Sequence, residues 1–205
     1  MLTSIVVFDD FTDIDVFLMW DLLNRVQRPD WKVRLIGQSA EHLSHTKIPI
    51  PMHGGLELAA ESDAVLFASG PGVREKLNDT RFLSALKLDP ERQLIGSICA
   101  GSLFLATLGL LDRKRATTHP SVRHLLQRFD LTVVDKPFVS QGNVATAAGS
   151  LAAQHLVAWV IGRLATEGDR DQVLESVQPI GSSSAFVWPH VSEHREMHVL
   201  RRADW

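Results

Sequence analysis

Residues 93–111 read QLIGSICAGSLFLATLGLL. An apolar run, Leu94 and Ile95, enters the small-residue turn Gly96-Ser97-Ile98-Cys99-Ala100-Gly101, and a helix-periodic apolar segment leaves it. A strand that turns through such an elbow into a helix lifts one side chain off the end of a sheet. Backbone N–H groups and the positive helix end then point at that side chain. Here it is Cys99, the single cysteine of the chain. A helix N-terminus favours thiolate over thiol, so the expectation is a nucleophilic cysteine that loses its proton more easily than a free one. A lone cysteine is otherwise a small buried hydrophobe. The elbow position and its flanking glycines favour the reactive reading.

On either side of this elbow, short apolar runs alternate with longer helix-periodic segments, the pattern of a parallel sheet covered on both faces. Strands are expected at 5–8, 32–36, 64–68, 93–98 and, briefly, 116–118. Helical spacing runs over 14–26 with Asp13 as its cap, over 82–88, over 100–110, and from Pro120 to about 129. The two prolines in 47–52 restrict that stretch to an edge strand or hairpin arm. The runs 131–139 and 144–147 flank Gly142-Asn143 and read as a hairpin. A strong apolar helix follows over 149–165, and 171–177 continues in helical register. No repeat or linker divides the chain, so the expected organisation is one domain over 1–180 and a C-terminal extension over 181–205.

A chain of 205 residues suits one domain with a substantial core. Its net charge of −3 argues against a nucleic-acid surface. No apolar run approaches the roughly 20 residues needed to span a bilayer. With one cysteine there is no intramolecular disulfide, and 1–11 lacks the pattern of a secretory leader. A cytoplasmic protein acting on a small molecule, without membrane or nucleic-acid partner, is the expectation.

The stretches GSICAGSLFLATLGLLDRKRATTH (96–119) and FVSQGNVATAAGSLAAQHLVAWVIGRL (138–164) resemble the core of the ThiJ/PfpI superfamily, related to class I glutamine amidotransferases. The resemblance runs from Ile5 to about Ala165. Asp15 within DIDVF, together with the Thr117-Thr118-His119 block, is most similar to the isocyanide hydratase branch. The resemblance implies a flavodoxin-like three-layer α/β sandwich, mainly parallel, with a nucleophile elbow. It implies Cys99 as nucleophile, Asp15 as the acid beside it, and His119 at the end of the short strand after the elbow helix. Gly70 and Ala100 would supply backbone N–H groups to an oxyanion site. No cofactor or metal is implied, and a homodimer is. The reaction implied is thiolate attack on an isocyanide and hydration to a formamide. The alternatives are a carbonyl-repair protein of glyoxalase or deglycase type, or a non-catalytic redox or ligand sensor.

Two departures from the family pattern bear on substrate. Ala100 stands where protease-like members carry histidine and the hydratase branch threonine, which argues against a peptidase. Phe17-Leu18-Met19-Trp20 is bulkier than the small or kinked residues that follow the acid in that branch, and is expected to narrow or reshape the mouth of the site. The aspartates at 9, 10, 13 and 15 read as a solvated capping face rather than a hard-metal site. His190, His194 and His198, with Glu193 or Glu196, have zinc-like helical spacing, but their polar, basic setting reads as an exposed end.

Overall fold

The computed structural model describes residues 1–179. The expected extension over 181–205, with its three histidines, lies outside the described residues.

The elements in chain order are β1 (Leu2–Val6), α1 (Asp13–Asn24), β2 (Lys32–Ile36), β3 (Glu41–Leu43), β4 (Pro49–Pro51), β5 (Ala64–Phe67), α2 (Val73–Lys76), α3 (Thr80–Ala85), β6 (Leu94–Ile98), α4 (Ser102–Thr107), β7 (Arg115–Ala116), α5 (Arg123–Leu126), β8 (Thr132–Val133), β9 (Phe138–Gln141), β10 (Val144–Ala147), α6 (Ala153–Leu164) and α7 (Glu167–Glu175). A six-stranded sheet has the order β2-β1-β5-β6-β10-β9, parallel except for the β9–β10 hairpin. Every residue of β5, β6 and β10 is buried. Such continuous apolar strands belong to a sheet with both faces covered. Helices α1 and α6 pack together on one face, and α3 and α4 meet through Phe82 and Phe104 on the other. The arrangement is the three-layer α/β sandwich expected.

The chain winds outward from β1 to β2, then returns to place β5 on the opposite side of β1. At such a reversal the loops leaving adjacent strands diverge and open a crevice at the strands' carboxyl ends. The first turn of α1, the loop after β5 and the turn after β6 bring Asp15, Gly70 and Cys99 to that crevice.

Several local expectations shift. Thr12, not Asp13, is the cap residue of α1, because the Asp13 carboxylate is drawn away to Thr46 Oγ1 at 2.6 Å. The expected first strand sits earlier, at β1, although 5–8 are all fully buried. In the 131–139 run only β9 joins the hairpin; β8 pairs in parallel with β7. The helix expected over 149–165 begins as a tight turn at Ser150–Ala152 before α6. The helical register at 171–177 belongs to a separate helix, α7, opened by a capping box between Thr166 and Asp169.

Candidate active site

Cys99 follows β6 directly and adopts φ 49°, a left-handed conformation rare for residues with a Cβ. Neighbouring hydroxyls hold it there. Thr118 Oγ1 donates to the Cys99 carbonyl at 3.0 Å, and Ser102 Oγ lies 3.0 Å from the same oxygen and 2.8 Å from Thr118. The Thr117-Thr118-His119 block therefore contributes Thr118 to the support of the elbow. The turn begins as a single 3-10 turn, Cys99–Gly101, before the six-residue α4.

The sulfur is nearly buried, with Cys99 5% exposed. Burial, and then the Asp15 carboxylate beside it, push the thiol up to about 12, while the Gly149 N–H and the Ser150 hydroxyl pull the other way. This corrects the expectation of an easily ionised thiol. The short elbow helix offers little field, and loss of water outweighs it. Buried in this way, Cys99 is held as a thiol rather than a thiolate.

Asp15 occupies the first turn of α1 and is 1% exposed. Burial raises its carboxyl above the usual aspartate range, opposed by the Ser150 hydroxyl, the nearby His119 and the Ser69 hydroxyl. Its Oδ1 completes no hydrogen bond among the described residues. A buried carboxyl with a vacant acceptor, next to a thiol, is suited to take and return one proton.

Gly70 follows β5 at φ 149°. A Cβ there would lie 2.4 Å from Asp10 O and 2.6 Å from Phe11 Cα, so only glycine lets this loop meet the β1–α1 loop. Among the described residues no hydrogen bond engages the Gly70 N–H. The second amide differs from expectation: the Ala100 N–H is not free but donates to Ser69 Oγ at 3.0 Å. Ser69 must rotate away before Ala100 can serve an oxyanion.

His119 is exposed and lines the same cleft. Its Nδ1 accepts from the Ser121 N–H at 3.3 Å and lies 2.8 Å from Ser121 Oγ. The proton of the neutral ring is thereby placed on Nε2. The structure shows no hydrogen bond from His119 to Cys99 among the described residues; the ring bears on Asp15 only through its field.

These groups line one cavity of about 460 Å³ that also includes Thr12, Pro71, Val73, Arg74, Leu103 and Val122. Phe17, Leu18, Met19 and Trp20 do not line it, contrary to expectation. Met19 is fully buried, Phe17 packs on Phe11 and Trp20 on His53. The acidic cluster also disperses. Asp9 accepts from Leu43 N, Asp10 meets His45, and Asp13 meets Thr46, leaving Asp15 alone in the cleft.

Sequence reading missed Ser69, Arg74, Gly149 and Ser150. Ser150 reaches both Cys99 and Asp15. The signal available was Gly149-Ser150 directly after a short strand, where a glycine breaks helical register.

A doubly wound α/β domain with a buried cysteine–carboxyl pair at its switch point defines the class. The DJ-1/PfpI family profile matches residues 3–161. The chain belongs to the DJ-1/PfpI family. It is 27% identical over 155 residues to an isonitrile hydratase of Pseudomonas putida, covering 71% of this chain and 64% of that protein. It is 26% identical over 155 residues to the glutathione-independent glyoxalase DJ-1 of Schizosaccharomyces pombe, covering 70% of this chain and 80% of that one. The match thus spans less than two thirds of the isonitrile hydratase. The solved structure of Schizosaccharomyces pombe DJ-1 superposes with a TM-score of 0.75 at 20% identity, covering 87% of this chain and 100% of that one.

Proposed function

We propose that this chain is a cysteine-dependent hydratase or hydrolase of small molecules, with chemistry of the isonitrile hydratase kind. The observation that carries the reading is the convergence of Cys99 and Asp15 in one cleft, bridged by Ser150, with Asp15 Oδ1 unpartnered among the described residues. A cavity of about 460 Å³ suits a small molecule.

Asp15 accepts the Cys99 proton as the sulfur bonds to the terminal carbon of an isocyanide, and delivers that proton to the same carbon. The product is a thioimidate, R–N=CH–S–Cys99. Water adds to the C=N carbon with proton transfer to nitrogen, and collapse expels Cys99, leaving the formamide R–NH–CHO. Isocyanide plus water equals formamide, and the enzyme is regenerated. Gly70 lines the cleft, and its N–H, unengaged among the described residues, would serve the oxygen of the adduct formed when water adds.

The test is formamide production from a panel of isocyanides. Cys99→Ser is expected to abolish it, and Asp15→Asn to lower kcat by about 10²- to 10⁴-fold. Product at the wild-type rate from Cys99→Ser overturns the reading. A second reading, carbonyl chemistry at the same pair through a hemithioacetal, is favoured by the larger share of the Schizosaccharomyces pombe glyoxalase that the chain matches. Turnover of glyoxals with no turnover of isocyanides would select it. The thiol's high pKa weighs against a sensor that responds to mild oxidant. We also propose a homodimer, checked by light scattering.

A further inference from the structure

The ionisable residues lining the cleft are Asp15, Arg74, Cys99 and His119. Arg74 is exposed, whereas Cys99 is buried, so they mark the outer and inner ends of one cavity. Among the described residues the Arg74 guanidinium has no ion pair or hydrogen bond; Asn78 contacts only its backbone carbonyl. The adjacent acid offers it nothing, because Glu75 lies 3.6 Å from Lys76. Lys76 is itself tied to Gln38 at 2.9 Å and Asp79 at 3.4 Å. The base of Arg74 is held firmly. Gly72 donates to Asp10 O at 3.2 Å, and a Cβ on Gly72 would sit 2.0 Å from Asp9 O. The proposed attack by Cys99 makes no use of this cation.

We propose that the cleft takes a small electrophile bearing a carboxylate, which the Arg74 guanidinium holds at the mouth while Cys99 meets the electrophilic carbon below. A guanidinium fork matches the two oxygens of a carboxylate in its plane. A phosphate monoester, with close to two negative charges, would call for more positive charge than this wall supplies. The other basic side chain there, His119, has its Nδ1 engaged by Ser121. The inference rests on the reading of Cys99 as the nucleophile and adds the substrate class to it.

Competing alkylation tests it without turnover. Iodoacetate and iodoacetamide transfer their carbon to sulfur with loss of iodide, and differ in carrying a carboxylate or a neutral amide. Both react through the same thiolate, so their rate ratio at one pH cancels the thiolate fraction. With one cysteine in the chain, intact mass reads Cys99 alone. The wild-type iodoacetate-to-iodoacetamide ratio is expected about tenfold above that of glutathione, the scale of a solvent-exposed charge-assisted hydrogen bond. Arg74→Gln should bring the ratio down to the glutathione value, and Arg74→Lys should recover part of it. A labelled Cys99 whose ratio matches glutathione in the wild type, or survives Arg74→Gln, overturns the carboxylate while leaving the nucleophile standing. Failure of both reagents on folded protein, with labelling after denaturation, overturns the nucleophile and the inference together.

Discussion

A negative charge on Asp15 raises the cost of ionising Cys99 beside it. The thiol sits far higher, at about 12, so the first proton to leave the pair leaves the carboxyl. Removing that negative charge should therefore ease ionisation of the sulfur. In Asp15→Asn the pH profile of Cys99 alkylation is expected to move to lower pH even as turnover falls; a profile that stays put would show that burial alone sets the thiol. The same carboxyl has a consequence for stability. Its pKa is raised in the folded protein, so the native state keeps a proton that the unfolded chain releases near pH 4. Above that pH the unfolded state binds fewer protons, and stability falls as pH rises until the folded carboxyl has also titrated. Asp15→Asn removes this slope. Its melting temperature should exceed the wild type's by a margin that opens as pH rises from about 4. A margin independent of pH would contradict a raised Asp15.

At the scale of elements, the site is three strand-end loops locked against one another by backbone. Gly70 lies between two of them, and the atoms its Cβ would strike are main-chain atoms that cannot rotate aside. Gly70→Ala is expected to cost about 2 kcal/mol or more, read as a lower urea midpoint with unchanged m-value. A cost of a few tenths would mean that the loops part easily. The elements themselves were largely legible: apolar runs of strand length, broken by glycine and proline, marked β2, β5, β6 and the β9–β10 hairpin. The elbow marked Cys99, and family resemblance brought Asp15 to it. What local pattern could not carry was pairing and burial. Short β8 lies beside β7 because of the sheet's three-dimensional course, not its own sequence. Ser150 was hidden inside an apolar stretch that reads as one helix. The raised pKa of the thiol is not legible either, because the elbow's sequence reports its dipoles but not the water it loses. Ser69 filled the Ala100 amide for a related reason: the contact joins residues 31 positions apart.

For the whole molecule, the cleft is held up by an aromatic cluster beneath the switch point. Phe104 of α4 is fully buried, with ring centroids 5.4 Å from Phe8, 5.6 Å from Phe67 and 5.3 Å from Phe82. Those partners follow β1, end β5 and lie in α3, so a single ring ties the elbow helix to the strands whose loops form the site. Phe104→Ala should cost about 3–5 kcal/mol, through lost burial and the cavity left behind. In a protein of this size that corresponds to a fall of roughly 10 °C in melting temperature. The effect should also reach Cys99 below the melt, since the burial that holds the thiol protonated depends on how α4 seats. A control separates this from general loosening. Leu23, fully buried on α1 at the end away from Asp15, gives a comparable core truncation on the other side of the sheet. Compared at equal distance below their own melting temperatures, Phe104→Ala should alkylate faster with iodoacetamide than Leu23→Ala. Equal rates would mean that Cys99 is exposed by global opening, and that the aromatic cluster supports the fold without governing the reactivity of the sulfur above it.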